Sequence, residues 1–182
     1  MNADRSRAAA LEAATKLAQR LQVDALSVDA VCTEANIDTA TFAREFGHLD
    51  RYLGAVLDAF FERARNRIIA ATSGLPAGMT RLQLATETYL SACLDERALL
   101  DWLLPLRQRA RFIDHAERAR RIFRVIVGAE LLAMGWRHPR DGARLFTVVV
   151  DATSRLEHQT GQPLPRTREA MWHFLQHAPT PP

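Results

Sequence analysis

Residues 26–53, LSVDAVCTEANIDTATFAREFGHLDRYL, decide the reading of this chain. Apolar side chains recur at Val28, Val31, Cys32 and Ala35, one face of a 3.6-residue period. The pattern breaks at Asn36-Ile37-Asp38, where Asn tolerates a left-handed turn and Asp caps a following helix. It resumes at Thr41, Phe42 and Phe46, and a longer helix begins just behind. Helix, tight turn and helix is the arrangement that presents its second helix to the major groove of DNA.

Outward from this pair, the rest of the chain reads as helix. Of its 182 residues 48% are apolar, and no long β-branched alternation occurs; Val148–Val150 lies inside a helical pattern. About nine helices are expected, the first from Arg5 to Leu21. The fourth runs from Leu49 to Ala71 and is stopped by Ser73-Gly74-Leu75-Pro76. Thr80-Arg81-Leu82-Gln83 and Asp114-His115-Ala116-Glu117 have the spacing of capping boxes opening a fifth and a seventh helix. A sixth holds Trp102 and is kinked or ended at Pro105. Pro139 opens an eighth that ends near Gly161, and Pro163 and Pro165 precede a ninth through His177. The closing APTPP reads as a disordered tail.

Charge is unevenly placed. Residues 1–56 carry six basic side chains (Arg5, Arg7, Lys16, Arg20, Arg44, Arg51) and eight acidic ones, a balance of −2 within a chain of +3. Phosphate neutralisation supplies most non-specific affinity for DNA, so this balance weighs against tight binding. No apolar run is long enough to span a membrane and no signal core opens the chain, which places it in the cytoplasm. Cys32 and Cys93 suit a reducing compartment and read as small buried hydrophobes.

The spacing discloses no catalytic constellation, so an enzyme is not expected, and no cofactor is implied. His173 and His177 are four residues apart but lack a third ligand, and read as surface residues rather than a metal site. Between Arg107 and Arg124 stand seven arginines, against Asp114 and Glu117. Glu117 pairs at helical spacing with Arg120 and Arg121, which makes a salt-bridged surface, with docking of an acidic protein or an anionic ligand as the alternative.

The layout resembles the TetR family of bacterial transcriptional regulators. The resemblance rests on Ala13-Ala14, Leu17, Ser27-Val28, Val31, Ala35, Ile37, Thr41, Phe42, Phe46 and Leu53, within residues 7–57, and on helix number and length beyond. It implies an all-α chain with a three-helix DNA-binding headpiece at 1–48. A helical body at 49–182 would then bind a small molecule and dimerise through its last two long helices. Gln22, Asn36 and Ala40 depart mildly from the family pattern. Ala43 stands where a phosphate-touching tyrosine is usual, and Leu49 where a phosphate-contacting lysine is usual.

On this reading DNA is contacted by Arg44, Thr39 and Thr41, with Ser27 capping the second helix near phosphate and His48 donating beside the missing lysine. Arg44 reaches guanine or phosphate. Asp38 is a helix N-cap, and Glu45 repels the duplex unless it reads a cytosine. The family's ligand cavity points to Phe60, Tyr89, Cys93, Trp102, Phe112, Phe123 and Trp136, with Tyr89, His115 and Gln108 as polar handles. Leu145, Val148, Val149, Ala152 and Leu156 form a stripe on the eighth helix. With Met171, Trp172 and Leu175 of the ninth, they would build a four-helix bundle in a homodimer. The expected function is operator binding as a repressor released by a small apolar or anionic ligand. The alternative is a chain that keeps the fold, has lost operator binding and acts on a protein partner as an anti-activator.

Overall fold

The computed structural model describes residues 3–106 and 112–176, and among them there are helices and no strand. In chain order they are α1 (Ala3–Ala18), α2 (Val28–Ala35), α3 (Thr39–Phe46), α4 (Leu49–Thr72), α5 (Met79–Asp95), α6 (Arg97–Leu106), α7 (Ile113–Ala133), α8 (Pro139–Thr160) and α9 (Pro165–Gln176). A 3-10 turn at Val23–Ala25 lies between α1 and α2. The all-α expectation holds.

Two compact units make up the chain: Met1–Glu62 with Glu96–Ala116, and Arg63–Asp95 with Glu117–Pro182. In the first, α1 packs on α2, α3 and α6. Its small residues Ala10, Ala13 and Ala14 are buried and let neighbouring helices approach closely. Phe42, Phe46 and Tyr52 form an aromatic triangle with ring centroids 5.1–5.6 Å apart. The Tyr52 hydroxyl donates to the Ala10 carbonyl at 2.8 Å, and burial pushes its pKa up. A buried phenol with its partner in place fixes α4 to α1 and leaves no orphan polar atom.

The second unit is organised about Leu82, Leu90, Val127, Leu131, Phe146, Val150, Met171 and Trp172. α8 packs on α5 and α9. Gly142 is closely packed: a Cβ there would lie 2.9 Å from Leu131 Cδ1 and 3.0 Å from the Trp136 ring, so both would have to shift to admit it. Two buried carboxylates tie the helices together. Glu130 accepts from the Gly78 N–H and from Arg81, and Glu157 from the Leu164 N–H and from Arg168 Nε and Nη2. Arg168 also pairs with Glu87, which accepts from Trp172 Nε1 at 3.1 Å. Each carboxylate is met by both a backbone donor and a guanidinium, the condition under which a buried charge is tolerated.

Several expected boundaries need correction. α1 ends at Ala18, short of Leu21: the Leu17 carbonyl accepts from both the Arg20 and the Leu21 N–H in a closing turn, and the Leu21 carbonyl beyond it accepts from the indole N–H of Trp102 at 2.8 Å. α5 starts at Met79, with Leu82 N–H bonded to the Gly78 carbonyl, so Thr80 lies inside the first turn and does not open the helix. α7 likewise starts at Ile113, putting Asp114 in the first turn, while Glu117 serves Arg120 and Arg124 instead of a capping box. Pro105 sits in the last turn of α6. Arg107, Gln108, Arg109, Arg111, His177 and the final APTPP residues lie outside the described residues.

Candidate nucleic-acid interface

The helix-turn-helix is built by its caps. Ser27 Oγ accepts from Ala30 N–H at 3.1 Å and starts α2. Asn36 ends it in the left-handed region at φ 51°, where a short polar side chain is tolerated without glycine. Asp38 Oδ1 then accepts from Thr41 N–H at 2.6 Å and starts α3. This bond to the Thr41 backbone, with a second to its side chain, holds the Asp38 carboxyl below the usual carboxylate range. All three local readings of the turn are borne out by this geometry.

α3 buries Phe42 and Phe46, while Thr39, Ala40, Ala43 and Arg44 are exposed. Thr41 is half-buried and committed to Asp38. Arg44 has 61% of its side chain exposed, and its Nε lies 3.4 Å from a Glu45 oxygen. Glu45 itself is turned inward, with 14% of its side chain exposed, and its carbonyl accepts from Arg7 at 3.3 Å. The Arg7 guanidinium also sits 4.9 Å above the Phe46 ring, so it acts as a brace between α1 and α3. Arg20 pairs with Glu34, which engages one basic and one acidic side chain of this segment and leaves its net charge unchanged.

At the entry to α4, the His48 carbonyl accepts from Tyr52 N–H, and His48 Nδ1 accepts from Arg51 N–H at a long 3.4 Å. His48 is thus the N-cap of a 24-residue helix. With Nδ1 accepting, the neutral ring carries its proton on Nε2, where it is a donor at a positive helix end. Arg51 is exposed, and its Nη1 lies 3.8 Å from where a Cβ on Gly47 would be. Sequence reasoning passed over Arg51 because its boundary fell at Leu49; its place three residues after a capping His was the available signal. The structure brings His48, Arg51 and the Gly47 turn together at the end of α3.

The body candidates are divided between the two units. Phe60, Trp102 and Phe112 are fully buried in the first, and Phe112 lies 6.5 Å from the His115 ring. Tyr89, Cys93, Phe123 and Trp136 belong to the second, where Tyr89 and Phe123 are 5.9 Å apart. His115 Nδ1 lies 2.9 Å from both Asp58 oxygens, and its ring covers Gly54. On α8, Leu145 and Val148 are each 64% exposed and Leu156 46%, whereas Trp172 of α9 is buried against Phe146. Cys32 is buried, and burial together with Asp29 and Asp38 pushes its thiol up, away from reactivity. Among the described residues no three potential ligands gather for a metal, and no helix is long and apolar enough to cross a membrane.

No protein-family model matches the chain, and no curated protein matches it either. Solved structures do. A protein classed as a transcriptional regulator from Pseudomonas aeruginosa PAO1 superposes with a TM-score of 0.76 at 16% identity, over 97% of this chain and 91% of that one. A TetR transcriptional regulator from Legionella pneumophila gives 0.70 at 16% identity, over 92% and 94%. A TetR-family regulator from Streptomyces coelicolor gives 0.64 at 18% identity, over 93% and 95%. Over nearly its whole length, then, this chain has the fold of the TetR-type transcriptional regulators.

Proposed function

We propose that the chain is a cytoplasmic, homodimeric transcriptional repressor whose headpiece, residues 1–48 with the first turn of α4, binds operator DNA and is released by a small apolar or anionic ligand in the body. The observation that carries this reading is the exposed face of α3, with Thr39 and Arg44, beside the His48–Arg51 corner. Arg44 reads guanine or phosphate; Thr39, the Ser27 hydroxyl and the α4 N-terminus hold backbone phosphates. The half-buried Thr41 hydroxyl contributes by fixing Asp38. The His48 Nε2–H and the Arg51 guanidinium stand in for the contacts that Ala43 and Leu49 cannot make. Glu45 is turned inward from the exposed face of α3, while the Arg20–Glu34 pair, both partners being counted already, leaves the −2 balance as it is.

Ligand release follows if the ligand favours a dimer whose headpieces no longer match the operator spacing, a shift limited by its differential affinity for the two conformers. Several of the solved structures that the chain resembles are of transcriptional regulators, which favours a role other than catalysis.

Arg44→Ala tests the assignment. It is expected to weaken the specific complex by roughly 1–3 kcal/mol and to relax discrimination at one base pair, as measured by fluorescence anisotropy on promoter duplex. Unchanged affinity would refute the contact.

A second reading, a TetR-fold protein acting on a protein partner, draws on Ala43, Leu49 and the headpiece charge. Arg120 and Arg124 are poor anchors for that partner: Arg120 is bonded to Glu117 at 2.7 Å and lies 3.4 Å from Asp151, and Arg124 is bonded to Glu117 at 3.3 Å. The outward Arg118 and Arg121 are the better candidates, and their reversal would abolish partner capture on this reading.

A further inference from the structure

The exposed face of α3 is made by Thr39, Ala40, Ala43 and Arg44. At about 100° per residue they lie on one arc in the order Thr39, Ala43, Ala40, Arg44, so two methyl groups form its centre. The helix is held in this rotation from behind. Phe42 and Phe46 are buried, and Arg7 donates to the Glu45 carbonyl at 3.3 Å and covers the Phe46 ring at 4.9 Å.

Neither neighbouring carboxylate serves the face. Glu45 is turned inward, with 14% of its side chain exposed, and Asp38 is committed to the Thr41 N–H at 2.6 Å. The readout of cytosine through a carboxylate, which accepts from its amino group, is therefore absent from this arc. What the arc offers a groove floor is one guanidinium, whose fork matches the two acceptors of guanine, and two methyls beside it.

The base edges differ in how they meet a methyl. In the major groove adenine, guanine and cytosine present hydrogen-bonding groups, and thymine presents its C5-methyl beside a carbonyl. An alanine laid on a donor or acceptor strips it of water and returns no bond, which costs free energy; laid on the thymine methyl it buries apolar surface.

We infer that α3 reads a half-site in which guanine faces Arg44 and thymine methyls face Ala40 and Ala43; this rests on the operator-binding reading above and names the sequence class of that operator. Ala43, too short for phosphate, thereby becomes a base contact. Positions three apart on a helix hold their Cβ atoms about 5–6 Å apart, and bases of one strand follow at about 3.4 Å. The two thymines are thus adjacent or one step removed, with the guanine next to them.

The test begins with the full chain selecting duplexes from a random library. Each thymine of the enriched half-site is then replaced by deoxyuridine, which removes the methyl and leaves every hydrogen-bonding group in place. The enriched sites are expected to hold a guanine beside two thymines, and deoxyuridine at either is expected to weaken binding about fourfold, read by fluorescence anisotropy. Ala43→Gly is expected to abolish this sensitivity at one thymine and keep it at the other. If that variant loses helicity by circular dichroism, Ala43→Ser carries the same expectation. Enriched sites without thymine beside the guanine, methyls removable without loss, or full sensitivity retained in the Ala43 variant overturn the thymine assignment and leave operator binding standing. No enrichment over the starting library overturns the operator reading and this inference with it.

Discussion

On the proposed reading, His48 and Arg51 take over the phosphate contact that Leu49 does not make. Leu49 cannot reach phosphate, but its neighbours frame the same helix end, one through a ring nitrogen freed by capping and one through an exposed guanidinium. Because a phosphate contact is sequence-blind, Arg51→Ala is expected to weaken specific and random duplex alike and to lower the salt slope by about one. A salt titration of both duplexes checks this, and an unchanged slope would remove Arg51 from the interface. Gly54 offers a second residue-scale test. A Cβ there would lie 3.0 Å from His115 Nε2, and His115 is held by both Asp58 oxygens. Gly54→Ala is therefore expected to destabilise by about 1 kcal/mol or more, as overpacking does. In a His115→Ala background the same change is expected to stabilise by roughly 0.5–1 kcal/mol, the ordinary helix preference of Ala over Gly. Chemical denaturation of the four proteins reads the sign; a gain in the wild-type background would contradict the packing.

At the scale of elements, what was legible in the sequence is what local chemistry decides. Ser27, Asn36, Asp38 and Pro139 act within a turn of themselves, and each does what its type and spacing implied. Where a distant partner intervenes, the local reading fails. The segment just past α1 is held by Trp102, which meets the Leu21 carbonyl from 81 positions away, and the start of α5 follows Gly78, whose N–H is held by Glu130. Glu157 is the clearest case. The sequence presents it as one more polar residue near the end of α8, yet its side chain is 1% exposed and joins α8 to α9 through Arg168. Glu157→Ala leaves Arg168 with Glu87 alone and the Leu164 N–H without its acceptor, and is expected to cost about 3 kcal/mol, the lower end of the penalty for breaking a buried pair, measured as a shift in denaturation midpoint. A loss under 1 kcal/mol would show the network to be incidental.

For the whole molecule, helix number and order followed from periodicity and stop signals, because core burial repeats every turn and is written along the chain. The division into units was less legible: α6 belongs with the headpiece helices through buried Leu99, Trp102 and Leu103, a pairing that no short-range pattern encodes. The ligand candidates, chosen for residue type alone, fall in both units, and aromatic character does not separate a cavity wall from a core. Operator recognition is read most directly from binding of the purified protein to duplex from its own promoter region, titrated against salt. Saturable, sequence-selective binding is expected, with an affinity that falls steeply with salt and falls further in Arg44→Ala. Binding no stronger than to random duplex at low salt would contradict it and leave the protein-partner reading in its place.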